Sequence, residues 1–392
     1  MQEVLKTIKW RLKNALRIGS CVVLCSGCGS LSLSAKEALS AKEALSAKEA
    51  LSAKEAATPG TGGPALCADG FSRTAFLMGT VLDVTLPFCN HDLAGKMTEE
   101  VFAEISRVEA MLSTWKAGSE LSRFNASPVG QGFVPSAELR SWMVRLRGFT
   151  AGAGDFFSPR LAPLIAAWGL RKGGRVPDAV ELKRALEASK EGALEIDGDR
   201  WVRRDPLAGI EEGGFGKGLA LDLAAALMAQ KGAASFRMNF GGQILLKGEA
   251  AQVIGISDPF DRERVVLGFE FASGSVSTSG NSEHGLTVSK GKKKLRVGHL
   301  LDPRSGRPAE FQGSVTALAP SGLEAEILSK LMILGPEKGI EWANREGKAV
   351  LFLGRGRSRS VLVGRASCAF PELKPQAGTS VRVRQVCPKK AG

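Results

Sequence analysis

Gly213-Gly214-Phe215-Gly216-Lys217-Gly218 runs directly into Leu219, Leu223 and Leu227, leucines spaced four residues apart. Glycines let backbone N–H groups approach an oxyanion without Cβ obstruction, and a helix start adds the positive end of its dipole. Lys217 supplies a point charge at the same place. The segment meets neither GxxxxGK[ST] nor GxGxxG, which excludes a Walker loop and a dinucleotide fingerprint. Two readings stay open from these residues alone: a glycine-rich turn, or an anion cradle that opens a helix over residues 218–229.

Toward the C-terminus, Asn239 precedes the pair Gly241 and Gly242 at the end of a strand expected over 234–239. Ser277-Thr278-Ser279-Gly280 offers hydroxyls and amides to phosphate or carbonyl oxygens, and has equally the composition of a plain turn. His299-Leu300-Leu301-Asp302-Pro303-Arg304-Ser305-Gly306 sets one of the chain's 3 histidines three residues before an aspartate. A structural His–Asp hydrogen bond and a proton-transfer pair both fit that spacing.

Toward the N-terminus, Leu82, Val84 and Leu86 alternate with Asp83 and Thr85, predicting a strand over 80–88. Val101, Ile105, Val108 and Leu112 share one face of a helix over 98–112. Further helices are expected near 136–146, 179–187 and 323–334, and further strands near 244–247, 265–271, 315–318 and 349–352. Strand pairs with inserted helices, rather than a regular βαβ succession, predict an α+β fold with mixed or antiparallel sheets and packed helices.

The first residues carry Lys6, Arg11, Lys13 and Arg17, then an apolar run from Ile18 to Leu24 that is too short to span a bilayer. Leu24-Cys25-Ser26-Gly27-Cys28 is similar to a bacterial lipoprotein cleavage box with Cys28 as the lipidated residue. An uncleaved, weakly apolar anchor is the alternative. Residues 33–56 are four copies of LSAKEA, whose leucines drift around a helix and form no apolar seam, so a solvated spacer is expected. The organisation read from the chain is an export signal over 1–28, a spacer and linker over 29–71, one α+β domain over 72–371 and a basic tail over 372–392. The expected location is the bacterial cell membrane, lipid-anchored, facing the periplasm or the cell exterior.

The net charge of +13 is scattered and not gathered into a basic stripe interleaved with aromatics, and there is no tyrosine, which argues against a nucleic-acid partner. Of the 7 cysteines, Cys67, Cys89, Cys368 and Cys387 lie beyond the export segment and form no CxxC pair. One or two disulfides would suit an oxidising compartment, and spacing does not decide their pairing.

Taken in order, these motifs resemble the ApbE family, the FAD:protein FMN transferases formerly described as thiamine-biosynthesis lipoproteins. The resemblance runs from Met78-Gly79-Thr80 to Gly335. It includes Ser113, the Ser119-Glu120-Leu121-Ser122-Arg123-Phe124-Asn125 segment, Pro163-Leu164, Trp168-Gly169, the glycine-lysine segment, Asn239 to Gly242, Thr278-Ser279-Gly280 and the His299 segment. It implies an α+β flavin transferase fold that takes FAD, uses Mg²⁺, moves FMN to a threonine hydroxyl of an exported electron-transfer protein and releases AMP.

On the same resemblance Met78 lies against the flavin, and Trp115 stands for a customary aromatic, usually tyrosine. Phe157, Ser158, Glu211, Thr278 and Ser279 belong to the cofactor site. Lys217 faces the phosphates, while His299 and Asp302 organise the reacting end. Three stretches depart from the family pattern: Phe157-Ser158-Pro159 in place of Phe-Asp-Pro, Glu211-Glu212 in place of Asp-Leu, and Ala325-Glu326-Ile327-Leu328-Ser329-Lys330 in place of Ala-Asp-Ala-Leu-(Ala/Ser)-Thr. Mg²⁺ would be retained by Glu326, Ser329 and the Gly214 carbonyl, or replaced in part by Lys330, or a bland Glu326–Lys330 ion pair would fill the helix face. The alternatives to the transferase are an FAD-binding electron carrier, an FAD pyrophosphatase without a protein acceptor, and a nonenzymatic interaction protein.

Overall fold

The computed structural model describes residues 66–388, apart from 153–155, 197, 249, 282–285, 291–292 and 357–359. The stretch read as an export signal, with Cys28, and the LSAKEA repeat lie outside the described residues. Nine strands form the main sheet: β1 (Leu66–Leu77), β2 (Thr80–Phe88), β3 (Phe236–Phe240), β4 (Gln243–Lys247), β5 (Gly274–Gly280), β6 (Gly313–Ala319), β7 (Ala349–Arg355), β8 (Leu362–Ser367) and β9 (Val381–Val386). They lie side by side in chain order. Every neighbouring pair is antiparallel except β8 and β9, which run parallel. The architecture is the α+β, largely antiparallel arrangement expected.

Period-two alternation sends the two faces of this sheet into different cores. Leu82, Val84, Leu86, Phe88, Val315, Ala317, Val350 and Phe352 face a helical layer. That layer is built from α1 (His91–Leu112), α2 (Gly216–Gln230), α3 (Gly322–Leu328) and α4 (Gly335–Arg345). Leu246, Val276, Leu318, Leu351 and Leu353 face the opposite way, onto a small sheet of strands Gln252–Asp258, Asp261–Phe271 and Lys374–Pro375. Each fully buried Leu, Val or Phe contributes about 1.5–3 kcal/mol, so the two faces together hold the domain.

α1 starts seven residues before its predicted beginning, because Asn90 caps it by accepting the Leu93 N–H. Its buried positions Met97, Val101, Ile105, Val108 and Leu112 follow the helical spacing. The sheet reaches beyond 72–371 at both ends. β1 opens at Leu66 and β9 lies within the basic tail, and each is fastened by a disulfide, Cys67–Cys89 and Cys368–Cys387. Among the described residues no helix is long and apolar enough to cross a membrane.

Candidate functional site

The glycine-lysine segment forms a turn of 3-10 helix, Glu212–Gly214, followed by α2. Its glycines have separate physical reasons. A Cβ on Gly214 would lie 3.2 Å from the Phe157 ring and 3.8 Å from Lys330 Cε. One on Gly216 would lie 3.5 Å from Met78 Cε, and one on Gly218 would stand 2.2 Å from the Gly322 carbonyl oxygen. Gly218 is therefore a helix-crossing contact between α2 and α3, while Gly214 and Gly216 let Phe157, Lys330 and Met78 close around the helix start.

Met78 has φ +44° and Gly79 φ +73°, and Leu77 pairs with Thr80, which makes a two-residue hairpin turn with both central residues left-handed. A methionine in that region costs on the order of 1–2 kcal/mol. The conformation aims its side chain at Gly216. The Gly241-Gly242 pair is the matching turn between β3 and β4, steadied by the Gly242 N–H donating to Asn239 Oδ1 at 3.1 Å.

Beside this start lies a buried charge cluster. Lys217 Nζ donates to Glu326 Oε1 at 2.8 Å, and the Gly218 N–H donates to Glu326 Oε2 at 2.7 Å, so the carboxylate caps α2 from α3. Glu326 is 2% exposed and Lys330, on the turn after α3, 8%. Lys330 Nζ donates to Ser279 Oγ at 3.1 Å and Ser329 Oγ at 3.2 Å; these two hydroxyls are 2.7 Å apart.

Glu326's charge holds Lys217 above the usual lysine range against its burial. Burial pushes the Glu326 carboxyl up, but Lys217, Lys330 and the Gly218 hydrogen bond outweigh it and keep it below the usual carboxylate range. Lys330 is pushed down to about 8 by burial, against the pull of Glu326. These residues do not fit a divalent ion as arranged. Both Glu326 oxygens are committed, and the place beside Ser279 and Ser329 is filled by an ammonium, which has no lone pair to coordinate.

On the neighbouring wall, the Thr114 N–H donates to Glu212 Oε1 at 3.1 Å and the Thr114 hydroxyl donates to Glu212 Oε2. Arg171 pairs with Glu211 at 2.5 Å, donates to the Thr114 carbonyl at 2.7 Å and stacks 4.6 Å above the Trp115 ring. Trp115 remains 70% exposed, an open aromatic plate backed by a guanidinium. Burial first, then the Glu212 charge, pushes the Glu211 carboxyl up to about 7 although Arg171 and Thr114 pull it down.

The serine-rich motif that carries the family resemblance shapes this wall. Ser119 caps the short helix Glu120–Asn125, and Ser119 and Ser122 hydroxyls both donate to the Ser113 carbonyl, at 2.6 and 3.0 Å. Asn125 exchanges two 2.8 Å hydrogen bonds with the backbone of Ile210, next to Glu211. Ser158 is partly buried, and its hydroxyl accepts the Arg160 N–H at 3.1 Å.

The Thr278-Ser279 pair is part of strand β5 and not of a turn, since it pairs with Thr316 and Val315 of β6 in a strand whose first residues, Gly274 to Val276, also pair with β4. Its two side chains therefore part ways. Thr278 Oγ1 meets Thr316 Oγ1 at 2.9 Å across the strands, and only Ser279 joins the lysine cluster. His299 is exposed, one residue after Gly298, which packs on the Asn281 amide. The Asp302 carboxylate accepts the Arg304 backbone N–H and guanidinium, each at 2.9 Å, and so pairs with arginine. That turn is docked on a satellite core by Trp168, whose Nε1 donates to the Gly306 carbonyl at 2.7 Å.

Sequence reasoning missed Thr114, Arg171 and Asp222, and gave Glu212 no role of its own. Asp222 accepts the Gly322 and Leu323 N–H groups at 2.5 and 3.0 Å and so caps α3 from α2. It sits four residues after Gly218, on the helix face that Gly218 opens, and that spacing was the available signal.

The largely antiparallel α+β sheet with its helical layer is the fold of the flavin transferases. A sequence profile of the ApbE family matches residues 78–352. The chain is 31% identical over 298 residues to the FAD:protein FMN transferase of Salmonella typhimurium, spanning 70% of this chain and 82% of that protein. The Escherichia coli protein of the same name is 29% identical over 298 residues, with the same shares covered. The apo crystal structure of Pseudomonas stutzeri flavinyl transferase ApbE superposes with a TM-score of 0.66 at 27% identity, covering 76% of this chain and 95% of that one. The chain belongs to the ApbE family and is a homologue of the FAD:protein FMN transferases.

Proposed function

We propose that this chain binds FAD and transfers its FMN half to a threonine hydroxyl of an exported electron-transfer protein, with release of AMP. The observation that carries the reading is the meeting of Lys217 and Lys330 at the glycine-rich start of α2, beside the open Trp115 plate. The flavin ring system stacks on Trp115 and against Met78, with Phe157 and Ser158 at the adjoining wall. Glu211, held by Arg171, supports that wall, while Thr278 turns to the opposite face of β5 and takes no part in it. The diphosphate lies toward the two lysines and Ser279.

In the transfer, the threonine oxygen attacks the FMN phosphorus and forms a new P–O bond. The bond from that phosphorus to the bridging oxygen breaks, and AMP leaves with the oxygen. Lysine charge and backbone N–H groups oppose the charge that gathers on the phosphoryl oxygens. The threonine proton passes to His299, whose exposed imidazole sits on the segment that Asp302 and Arg304 hold in shape. No electrons change hands.

The two disulfides suit an oxidising compartment, in keeping with export and a lipid on Cys28 that tethers the domain to the membrane. The test is co-expression of the full chain with an exported threonine-bearing flavoprotein acceptor, reading covalent flavin fluorescence in a denaturing gel and AMP by chromatography. Wild type is expected to give both. A His299→Ala variant is expected to keep FAD binding and to lose transfer by about 10²-fold or more, and unchanged transfer would remove His299 from the proton step.

A further inference from the structure

Lys330 is a buried cation in an unusual position. The residue is nine-tenths enclosed, yet the neighbouring carboxylate, Glu326, directs both hydrogen-bonding oxygens at Lys217 and the Gly218 N–H. Among the described residues two hydroxyls, Ser279 and Ser329, take two of the three Lys330 N–H donors. Enclosing a lysine against two neutral hydroxyls is costly unless an anion completes its surroundings. The missing Cβ of Gly214, 3.8 Å from Lys330 Cε, leaves backbone on that side within reach of such an anion.

The charges add up the same way. Lys217 and Lys330 bring two positive charges and Glu326 one negative, and Lys217 remains 32% exposed at the rim. The Lys217–Glu326–Lys330 trio thus carries a net positive charge where a divalent ion would otherwise be required; Glu212 on the neighbouring wall offsets part of it at Lys217, whereas Lys330 feels only Glu326 and Lys217. Ser279 comes from β5, and Ser329 and Lys330 from the turn after α3; these three side chains are joined by hydrogen bonds, while Glu326 of α3 holds Lys217 of α2 beside them. The seat is preorganised.

We propose that Lys330 is a built-in cation that, with Lys217 and Ser279, receives the diphosphate of a nucleotide and does the work of a divalent metal, making this chain metal-independent. The proposal rests on the FAD reading above for the identity of the nucleotide. It also makes a claim that stands without FAD: the wild-type site repels divalent ions, and removing the ammonium opens it to them.

The experiment uses the full chain in detergent, stripped with EDTA and desalted, as wild type, Lys330→Thr and Lys330→Met. Mn²⁺ alone is titrated and followed by electron paramagnetic resonance, and FAD is titrated by flavin fluorescence in EDTA and in Mg²⁺. Wild type is expected to bind no Mn²⁺ at the cluster and to bind FAD with an affinity that Mg²⁺ changes by less than about twofold. Loss of a charge-assisted contact should weaken FAD binding in EDTA by about tenfold or more in both variants. Mg²⁺ should restore it in Lys330→Thr, which regains an oxygen donor, and not in Lys330→Met. Stoichiometric Mn²⁺ binding by wild type, or wild-type FAD binding that needs Mg²⁺, would overturn the built-in cation while leaving the FAD reading intact. Absence of FAD binding by wild type in every condition would instead refute the functional reading and, with it, the diphosphate seat.

Discussion

Replacing Glu326 by glutamine keeps the shape of the side chain and removes the one negative charge that Lys217 and the α2 N-terminus share. Lys217 can turn its ammonium toward water from its place at the rim, whereas Lys330 has no such exit. Breaking a buried ion pair by removing one partner costs about 3–5 kcal/mol, chiefly because a charge is left uncompensated. At ~2.1 cal/mol/K per residue, a domain of about 320 residues unfolds with an entropy of ~0.7 kcal/mol/K, which turns that loss into a fall in Tm of about 4–7 °C. Calorimetry of the wild type and the Glu326→Gln variant in the absence of nucleotide measures it. If the stranded ammonium is the cause, adding Lys330→Met to the variant should recover at least about half of the loss, since an apolar side chain then fills the enclosure. A variant melting within about 1 °C of wild type, or a double variant no better than the single one, would refute the reasoning.

Gly218→Ala sets a Cβ against the backbone of Gly322, 2.2 Å from its oxygen, where no side-chain rotation relieves the clash. A loss of about 2 kcal/mol or more, read as a Tm lowered by about 3 °C, is expected despite alanine's better helix propensity. Cys67→Ser and Cys368→Ser each open a loop, with sequence separations of 22 and 19, and each should cost about 3 kcal/mol under the chain-entropy account, measured by urea unfolding. Glu211 titrates near 7 in the folded chain, above its ordinary value, so the proton it keeps stabilises the fold fully at acid pH, and that stability is lost as pH rises through 7. Between pH 5 and 8 wild type should therefore lose about 2.5 kcal/mol relative to Glu211→Gln, and parallel melting curves for the two proteins would contradict this.

Most of the frame was legible in the chain, because it rests on periodicity. Leu82 to Phe88 alternate and become β2, Val101 to Leu112 recur and become α1, and the leucines after Lys217 become α2. What escaped the sequence reading was non-local. Ser277 to Gly280 has turn composition, yet it continues a strand because Ser314 to Ala317 pair with it along its whole length and Ile244 and Leu318 flank the Val276 that precedes it. β9 hides in a basic stretch, since an edge strand needs only one partner and tolerates Arg382 and Arg384 on its rim. At the site, Lys217 and Lys330 were visible as charges, but no local pattern says that Glu326, 109 residues after Lys217, prefers that lysine to the nearby Lys330. Arg171 and Thr114 were missed for the same reason, as their partners Glu211 and Glu212 lie far along the chain.

The Cys67–Cys89 bond lies across the open ends of the β1–β2 hairpin, opposite its Met78-Gly79 turn, and converts the hairpin into a covalent ring. Mechanical load reaching the domain through the residues before Cys67 meets that bond before it meets the strand-to-strand hydrogen bonds. Hydrogen bonds of a hairpin pulled from its open end would break one at a time, like a zip; here the force divides between both strands at once and the zip has no free end. The Met78 turn, which the site depends on for its geometry, is thereby insulated from tension on the N-terminal side of the chain.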